Sequence, residues 1–464
     1  MTVEPAGASH EANEATRGSA IKLAAEVASR GLGLLTTVLV TRGLGVEGFG
    51  VFGGPFVAAV IVAELGELGL QATASRALVA GTVSLRSLAR ARLVLLAVVG
   101  GLALVSVPVS PLLSPLVLFF LLSGWGEFAG VALRCRGGRV REASLLVTLR
   151  GGGLVLAAAA LQAGAGPRGV AWALAASPLP ALAFGAAWLA RRKPAVPPPD
   201  LGVRDVLRLS APLAMHSGLL LLSPRVEYLV VAALLGDREK GLFLVALQVF
   251  WFLGMVPSAV AAGAMPSLTR EAMAGRGPVR GRTAGLLAAL AAPAAVGLGL
   301  VAPALVATVF GADYGPAAPW LGVLAAGVPP LFLNALVAAA LVAAGHAPAL
   351  PRITAVRVGV AFVIAVVAVP RFGVPGAAAG LVTAEWLLLA LGLRACRAAS
   401  FEVRAVRPLA WALVACVPMA LAVSGVRDSL TLAVAVGGLS WAATLAAVVG
   451  LRPGLARELV GDLR

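Results

Sequence analysis

Charged residues are scarce in this sequence. Asp, Glu, Lys and Arg make up 12% of its 464 residues, about half the share found in soluble proteins. Hydrophobic residues make up 60%, and the mean hydropathy is +0.96. One water-exposed domain cannot bury that much apolar surface, so the composition excludes a water-soluble globular protein. Apolar runs of about twenty residues, the length that crosses a bilayer, predict an all-α polytopic membrane protein.

Cysteine and histidine are also scarce. They are Cys135, Cys396, Cys416, His10, His216 and His346. Their wide spacing excludes a disulfide framework and a zinc site, and the sequence contains neither a P-loop nor a GxSxG elbow. A membrane glycosyltransferase would need acidic residues on a long outside loop, which this chain lacks. We therefore expect a transporter and not an enzyme, with no cofactor and with H⁺ or Na⁺ as the coupling ion.

Apolar runs bounded by charge, proline or glycine predict fourteen membrane spans. Their limits are 19–41, 47–70, 92–109, 113–133, 143–164, 169–190, 206–235, 241–265, 283–309, 317–344, 353–370, 374–393, 408–424 and 429–450.

The placement of basic residues explains the formal net charge of +16. Lys and Arg concentrate in alternate connections; one of these holds Arg76, Arg86, Arg90 and Arg92, whereas the preceding connection holds only Arg42. By the positive-inside rule, the rich connections are cytoplasmic. The positive net charge therefore indicates how the chain is oriented in the membrane and does not indicate a nucleic-acid partner. We expect a bacterial cytoplasmic (inner) membrane protein with both termini in the cytoplasm.

A basic, proline-rich segment divides the chain into two blocks of six spans, with two spans left over. Similar motifs support this division, because Leu44-Gly45 and Leu235-Gly236 are each followed by Gly and Phe at the same offsets. Two six-helix lobes with an even number of spans would be related by an axis along the membrane normal. The predicted parts are a polar cytoplasmic tail (1–18), an N-lobe (19–190), a cytoplasmic linker (191–205), a C-lobe (206–396), and two further helices with a cytoplasmic tail (397–464).

Ionisable side chains within the predicted spans are candidates for function. An ionisable group at membrane depth costs about 2.5–3.5 kcal/mol, so each one needs a partner or a role. These residues are Glu26, Arg30, Glu64, Glu67, Glu127, Arg150, Arg225, Glu227, Arg357 and Glu385.

Two predicted spans carry polar stripes along one helical face. In the first span Thr37 extends the face of Glu26 and Arg30. In the seventh span His216 and Ser223 share a face with Glu227, and a proline at position 224 predicts a kink.

We interpret these stripes as lining a central polar cavity between the lobes. An anionic head group would be bound there by Arg30, Arg150, Arg225, Thr37 and Asn334. Coupling cations, or charge pairs, would involve Glu227, Glu64, Glu26, Glu127 and Glu385. Structural roles also remain open: Glu26 and Arg30 as an intrahelical pair, Glu67 and Arg357 as snorkelling side chains, and His216 and Asn334 as interhelical hydrogen-bonding residues.

Local motifs resemble the opening of bacterial polysaccharide flippases, which belong to the multidrug/oligosaccharidyl-lipid/polysaccharide exporter superfamily. They are SRGLG at 29–33, TRGLGVEGFGVF at 41–52, and LGL at 68–70 before Arg76. A second-lobe match runs from Arg225 to Val231 and on to Phe243. The family more usually has Asp where this chain has Glu227.

The resemblance implies two six-helix lobes that alternate between inward and outward states. The implied substrate is a polyprenyl-pyrophosphate-linked oligosaccharide moved from the cytoplasmic to the outer leaflet, with polysaccharide polymerase or assembly proteins as partners and no nucleic acid. Lipid II flippases are related and also have fourteen spans, but they carry an Arg-Asp pair where this chain has Thr36-Thr37. The sequence also leaves open a cation-coupled drug or metabolite exporter and, from a different class, a glycosyltransferase or a structural scaffold.

Overall fold

A computed structural model describes the backbone of residues 6–67, 69–105, 110–135, 138–191, 199–273, 282–399, 403 and 406–451. The residues in these ranges form helices joined by short connections, and no β-strand occurs among them. This confirms the all-α fold class. The chain after residue 451 and residues 192–198 of the predicted linker lie outside the described residues.

The chain divides into two compact units, Met1–Leu221 and Leu222–Arg464. The helices of the first unit are α1 (Ala6–Gly66), α2 (Leu70–Ala80), α3 (Leu85–Val105), α4 (Leu113–Cys135), α5 (Arg139–Gln162), α6 (Pro167–Ala176), α7 (Leu179–Ala190) and α8 (Val203–Leu222).

The second unit contains eleven α-helices and one 3₁₀ helix within the described ranges. These are α9 (Val226–Leu234), α10 (Asp237–Leu253), α11 (Met255–Met273), α12 (Arg282–Val309), the 3₁₀ helix (Ala312–Ala317), α13 (Ala318–Ala325), α14 (Val328–Ala343), α15 (Ala349–Phe372), α16 (Val374–Ala398), α17 (Val406–Ala415), α18 (Val417–Ser424) and α19 (Leu430–Leu451).

The predicted number of fourteen spans is not confirmed. Within the described residues, eleven helical stretches are long and apolar enough to cross a membrane, or twelve if the pair bent by 50° around Ala326 and Gly327 is one span. One apolar stretch, Ala24–Gly66, has 43 residues, about twice the length needed to cross a bilayer. It covers most of the first two predicted spans, 19–41 and 47–70, and Gly45, where φ is 68°, lies between them.

The predicted kink in the seventh span is confirmed. The segment 206–235 is not one helix, because α8 ends at Leu222 and α9 begins at Val226, with Pro224 between them. Proline has no N–H to donate and its ring clashes with the preceding turn, which explains the break. The break lies beside Glu227, a candidate site residue.

Glycines set the packing of α1, α5 and the junction of α6 with α7. A side chain at Gly43 would overlap Leu161, and one at Gly151 would touch Leu32 at 3.9 Å. A Cβ at Gly152 would lie 2.8 Å from the Ser177 carbonyl oxygen. The run Gly151–Gly153 therefore permits a close approach of backbones.

The start of α3 is fixed by hydrogen bonds to the residues that precede α8. The Ser87 amide donates to Ser84 Oγ at 3.0 Å, an N-cap interaction. Ser84 Oγ and Ser87 Oγ both donate to the Asp200 carboxylate, and the Leu201 amide donates to Ser87 Oγ at 2.8 Å. These bonds, that from Ser84 first, hold the pKa of Asp200 below its usual value. Val206 continues the contact by packing into the core beside α2, α3 and α4.

In the second unit, α17, α18 and α19 pack against α12. Their shared core contains Ala292, Ala412, Cys416, Met419, Val423 and Ala433. The two C-terminal spans thus have a packing partner within their own unit.

Candidate functional site

An ion pair joins α5 to α4 in the first unit. Arg150 Nη2 lies 3.0 Å from Glu127 Oε1. The two side chains are 36% and 40% exposed, so the pair is accessible from outside the protein. Both residues were predicted site residues, Arg150 for an anionic head group and Glu127 for a charge pair, and the structure brings them together.

Leu32 on α1 contacts the position of Gly151 on α5, so the two helices pack together next to Arg150. Arg30 is two residues from Leu32, about 200° around the helix axis, so it lies on the other side of α1 from this contact. Arg30 is exposed, and Thr37 is half-buried. The Thr37 carbonyl accepts a hydrogen bond from Thr41 Oγ1 at 2.7 Å. Glu26 is also half-buried.

A second ionic cluster in this unit corrects the prediction for Arg92. The sequence placed Arg92 in a cytoplasmic connection, but α3 begins seven residues earlier, at Leu85. The Arg92 side chain is 3% exposed and forms an ion pair with Glu67. Its Nη1 also donates to Gln71 Oε1 at 3.0 Å. The alternative that Glu67 snorkels to the surface is wrong, because this carboxylate is only 14% exposed.

Neighbouring residues shape the Arg92–Glu67 pair. The guanidinium lies 5.4 Å from the ring centre of Phe128 and 6.0 Å from that of Trp125, within the range of cation–π attraction. Gly124 leaves room for the pair, since a Cβ there would overlap both charged groups. Glu64, which is exposed, and Glu127 both interact electrostatically with Arg92.

Three charged side chains meet in the interior of the second unit. Arg357 Nη2 on α15 lies 3.2 Å from Glu227 Oε1 on α9 and 3.0 Å from Glu385 Oε1 on α16. The exposures of these side chains are 0% for Arg357, 0% for Glu227 and 9% for Glu385. The alternative that Arg357 snorkels is therefore wrong. Glu227 and Glu385 form charge pairs, but their partner is not one of the predicted site arginines.

Asn334 on α14 joins the same cluster. Its Nδ2 donates to Glu385 Oε2 at 2.9 Å and to the Glu385 carbonyl oxygen at 3.2 Å. The structure thus places Asn334 in an interhelical hydrogen bond, one of the two roles that the sequence left open. Both carboxylate oxygens of Glu227 and the Arg357 Nε and Nη1 atoms are buried without a hydrogen-bond partner.

Arg225 is the N-cap residue of α9. Its guanidinium is 5.7 Å from the ring centre of Trp251, at cation–π distance. Ser223 is buried, while the His216 side chain lies outside the described residues. Among the side chains that the structure describes, no group of three or more His, Cys, Asp or Glu is arranged to hold a metal ion.

These three clusters differ in what they can bind. The Arg150–Glu127 pair is accessible, and a guanidinium can exchange a carboxylate for a phosphate oxygen. Arg92–Glu67 and Arg357–Glu227–Glu385 are sealed, so they can hold helices together or exchange protons but cannot receive a large ligand. Sequence spacing could not pair the members of the Arg357 cluster, because they lie on four different helices and meet only through packing.

A comparison with known proteins identifies a family that the chain matches. A family model described as "polysaccharide biosynthesis protein" matches residues 82–319, slightly more than half of the chain. No curated protein matches the chain.

Three solved structures share the fold at low sequence identity. A lipid II flippase, MurJ, in an inward closed conformation has a TM-score of 0.73 and 12% identity, covering 92% of this chain and 98% of its own. An inward-facing multidrug resistance MATE transporter of the MOP superfamily has a TM-score of 0.60 and 17% identity, covering 80% and 94%. An outward-facing multidrug resistance MATE transporter of the MOP superfamily has a TM-score of 0.54 and 17% identity. The match covers 83% of this chain and 94% of that chain.

These neighbours are a flippase and transporters, which supports the prediction that the chain is not an enzyme. Their fold and the apolar helices make it a multi-pass membrane protein. The match of the family model over slightly more than half of its length settles the family: the chain belongs to the polysaccharide biosynthesis protein family.

Proposed function

We propose that this protein is a flippase for a polyprenyl-pyrophosphate-linked oligosaccharide, a repeat unit of O-antigen, capsule or exopolysaccharide. It would move this substrate from the cytoplasmic to the outer leaflet of a bacterial inner membrane by alternating access. Family membership supports a role in polysaccharide synthesis, and the fold supports transport of a substrate across a membrane. Polysaccharide polymerase or assembly proteins would use the product on the outer side.

The accessible Arg150–Glu127 pair carries this proposal. A charged pair that is 36% and 40% exposed on helices of membrane-spanning length is a candidate functional site, because such residues usually face a substrate pathway or a water-filled cavity. A pyrophosphate offers the oxygens that a guanidinium binds bidentately. In the empty state Glu127 neutralises Arg150, and in the loaded state the pyrophosphate replaces Glu127.

Arg30 and Thr37 on α1 are further proposed contacts. Arg30 is exposed, and its guanidinium would bind the second phosphate of the head group. The sugar would contact uncharged polar groups such as Thr37, and the polyprenyl chain would remain in lipid. Arg225 in the second unit stays a predicted contact for the head group.

Complementation of a flippase-deficient strain tests this assignment. We expect Arg150→Gln and Arg30→Ala to abolish surface polysaccharide while the protein remains in the membrane at the wild-type level. Arg371→Gln is the matched control, because Arg371 is exposed and its side chain donates to a carbonyl of its own helix at 3.1 Å. Full complementation by both Arg150→Gln and Arg30→Ala would contradict the assignment.

A lipid II flippase is a second candidate, favoured by the fold match that covers 98% of MurJ. A cation-coupled exporter of drugs or metabolites is favoured by the match to MATE transporters. The three functions differ in their phenotypes. Loss of an oligosaccharide flippase removes surface polysaccharide and leaves peptidoglycan intact, loss of a lipid II flippase causes lysis, and loss of an exporter sensitises cells to its substrates.

A further inference from the structure

Two membrane-length stretches of the second unit are interrupted in the same way. The first, Asp237–Met273, breaks at Gly254 between α10 and α11, and the second breaks at Gly327 between α13 and α14. A proline stands three residues after each glycine, at Pro257 and Pro330. Because proline has no N–H, the carbonyl four residues before it loses its helical partner. The same short sequence pattern, Gly-x-x-Pro, therefore explains both breaks.

The two breaks pack against each other. A Cβ at Gly327 would lie 3.2 Å from the ring of Phe250, which is in the last turn of α10. A Cβ at Gly254 would lie 3.6 Å from the side chain of Leu331, which is in the first turn of α14. Each break thus contacts a helix turn beside the other break. A change of angle at one of them moves a side chain that packs at the other.

The helices on either side of the breaks also pack in pairs. α10 contacts α13, and α11 contacts α14. Both breaks therefore separate the same two pairs, α10 with α13 on one side and α11 with α14 on the other. Hinge motions of packed bodies occur at a few residues at the ends of helices. The two breaks lie where such a hinge would be.

α16 is fastened to the second of these pairs. A Cβ at Gly392 on α16 would overlap the Val337 side chain on α14, so the two helices are in close contact. Asn334 Nδ2 on α14 also donates to the Glu385 carbonyl oxygen on α16 at 3.2 Å. We therefore expect α16 to stay with α14 if the angle at the break changes.

Trp386 on α16 reaches across to the break between α13 and α14. Its Nε1 atom donates to the Ala326 carbonyl oxygen at 3.1 Å. This is the carbonyl that Pro330 leaves without a helical partner, and Ala326 is exposed in the middle of a membrane-length stretch. An unpaired carbonyl in hydrocarbon is strongly unfavourable. The indole therefore supplies the missing donor and ties the end of α13 to α16.

From this arrangement we propose that the breaks at Gly254 and Gly327 form one hinge in the second unit, and that the hydrogen bond from Trp386 to Ala326 locks it. With this bond made, α13 and α14 are held at their 50° bend. With the bond broken, α10 and α13 tilt together against α11, α14 and α16. If the chain is the flippase proposed above, on which only this last step rests, the tilt contributes to the exchange between inward and outward states.

Distances between spin labels in the purified full-length protein, measured by pulsed electron paramagnetic resonance, test the hinge without any substrate. One label pair reports the break between α13 and α14, at Val323 and Val342, which are 39% and 45% exposed. The other pair reports the break between α10 and α11, at the exposed residues Arg238 and Met273. The three native cysteines are replaced by alanine, so that only the introduced cysteines are labelled.

We expect Trp386→Phe, which removes the N–H donor and keeps an aromatic ring, to add a second population to the distances of both label pairs. Both should change because the two breaks pack together. Adding Pro330→Ala should remove the second population, because the new backbone N–H can donate to the Ala326 carbonyl. Trp172→Phe is the matched control, since Trp172 is 43% exposed in the first unit and Trp386 is 42% exposed. The control should leave both distances unchanged.

Unchanged distances in Trp386→Phe, or a change at one break without the other, would overturn the proposal. A second population that persists after Pro330→Ala is added would show that the indole acts through its bulk and not through its hydrogen bond, which also contradicts it. The label distances do not depend on transport. A protein whose hinge behaves as expected but which fails to flip oligosaccharide would therefore contradict only the proposed function.

Discussion

Replacing Arg357 with methionine should destabilise the second unit far more than the same change at Arg150 destabilises the first. Both substitutions remove a guanidinium and keep an unbranched apolar side chain. The two sites differ in burial, because Arg357 and Glu227 are each 0% exposed, whereas Arg150 and Glu127 are 36% and 40% exposed. The comparison therefore isolates the effect of burial on an arginine–glutamate interaction.

The expected magnitudes follow from these exposures. Removing one partner of a buried ion pair costs about 3–5 kcal/mol, because the other charge stays buried without compensation. Arg357 compensates carboxylates on two helices, α9 and α16, so we expect a loss of this size for Arg357→Met. An exposed pair contributes about 0–1 kcal/mol, and that range applies to Arg150→Met.

The assay is the free energy of unfolding of the full-length protein in mixed micelles, followed by helical circular dichroism. A rescue experiment excludes a purely steric effect. Combining Arg357→Met with both Glu227→Gln and Glu385→Gln removes all three ionisable groups of the cluster, and uncharged replacement of a buried ionic group is often close to neutral. The triple variant should therefore recover most of the lost stability. Equal stability of Arg357→Met and wild type, or no recovery in the triple variant, would refute the reasoning.

Three further predictions concern close packing and the start of α3. Gly152→Ala should lower the free energy of unfolding by about 1–3 kcal/mol, because the new Cβ would lie 2.8 Å from a backbone carbonyl oxygen. In the same unfolding assay Gly151→Ala should have a much smaller effect, because the nearest atom to its Cβ would be 3.9 Å away. Gly124→Ala should displace the Arg92–Glu67 pair and cost about 1–3 kcal/mol, whereas Gly101→Ala, with open space around it, should not destabilise. The pKa of Asp200 is lowered from its usual 3.8 by hydrogen bonds from Ser84 and then Ser87, so the ionised form favours the folded anchor. The contribution of Asp200 to the stability of this anchor is present above the usual pKa and is lost as the pH falls through the lower pKa of the folded state. Hydrogen exchange at the Leu201 amide should therefore accelerate over that acidic range. Ser84→Ala should weaken this pH dependence.

The membrane class, the helical fold and the break at Pro224 could be predicted from the sequence. Each depends on local chemistry: long apolar runs, and a proline that cannot continue a helix. The start of α3 was missed, although Ser84 and Ser87 carried a helix N-cap signal. Because of that error, Arg92 was counted among loop residues when it is buried in an ion pair.

The buried cluster of the second unit could be predicted only in part. The sequence identified Glu227, Arg357 and Glu385 as ionisable residues at membrane depth, and Asn334 as a polar residue in a span. It could not pair them, because Glu227 and Arg357 lie on helices distant in sequence and meet only through packing. Burial distinguishes this cluster from the accessible Arg150 pair, and burial is a property of the folded chain.

The most direct test of the central claim is movement of a lipid-linked oligosaccharide by the purified protein in liposomes. The probe is a polyprenyl-pyrophosphate disaccharide with a fluorescent sugar, and a membrane-impermeant quencher reports the leaflet that it occupies. We predict that the wild type exposes the probe on the opposite leaflet and that Arg150→Gln does not, whereas Arg371→Gln behaves as the wild type does. Equal transfer in liposomes with and without the wild-type protein would contradict the claim.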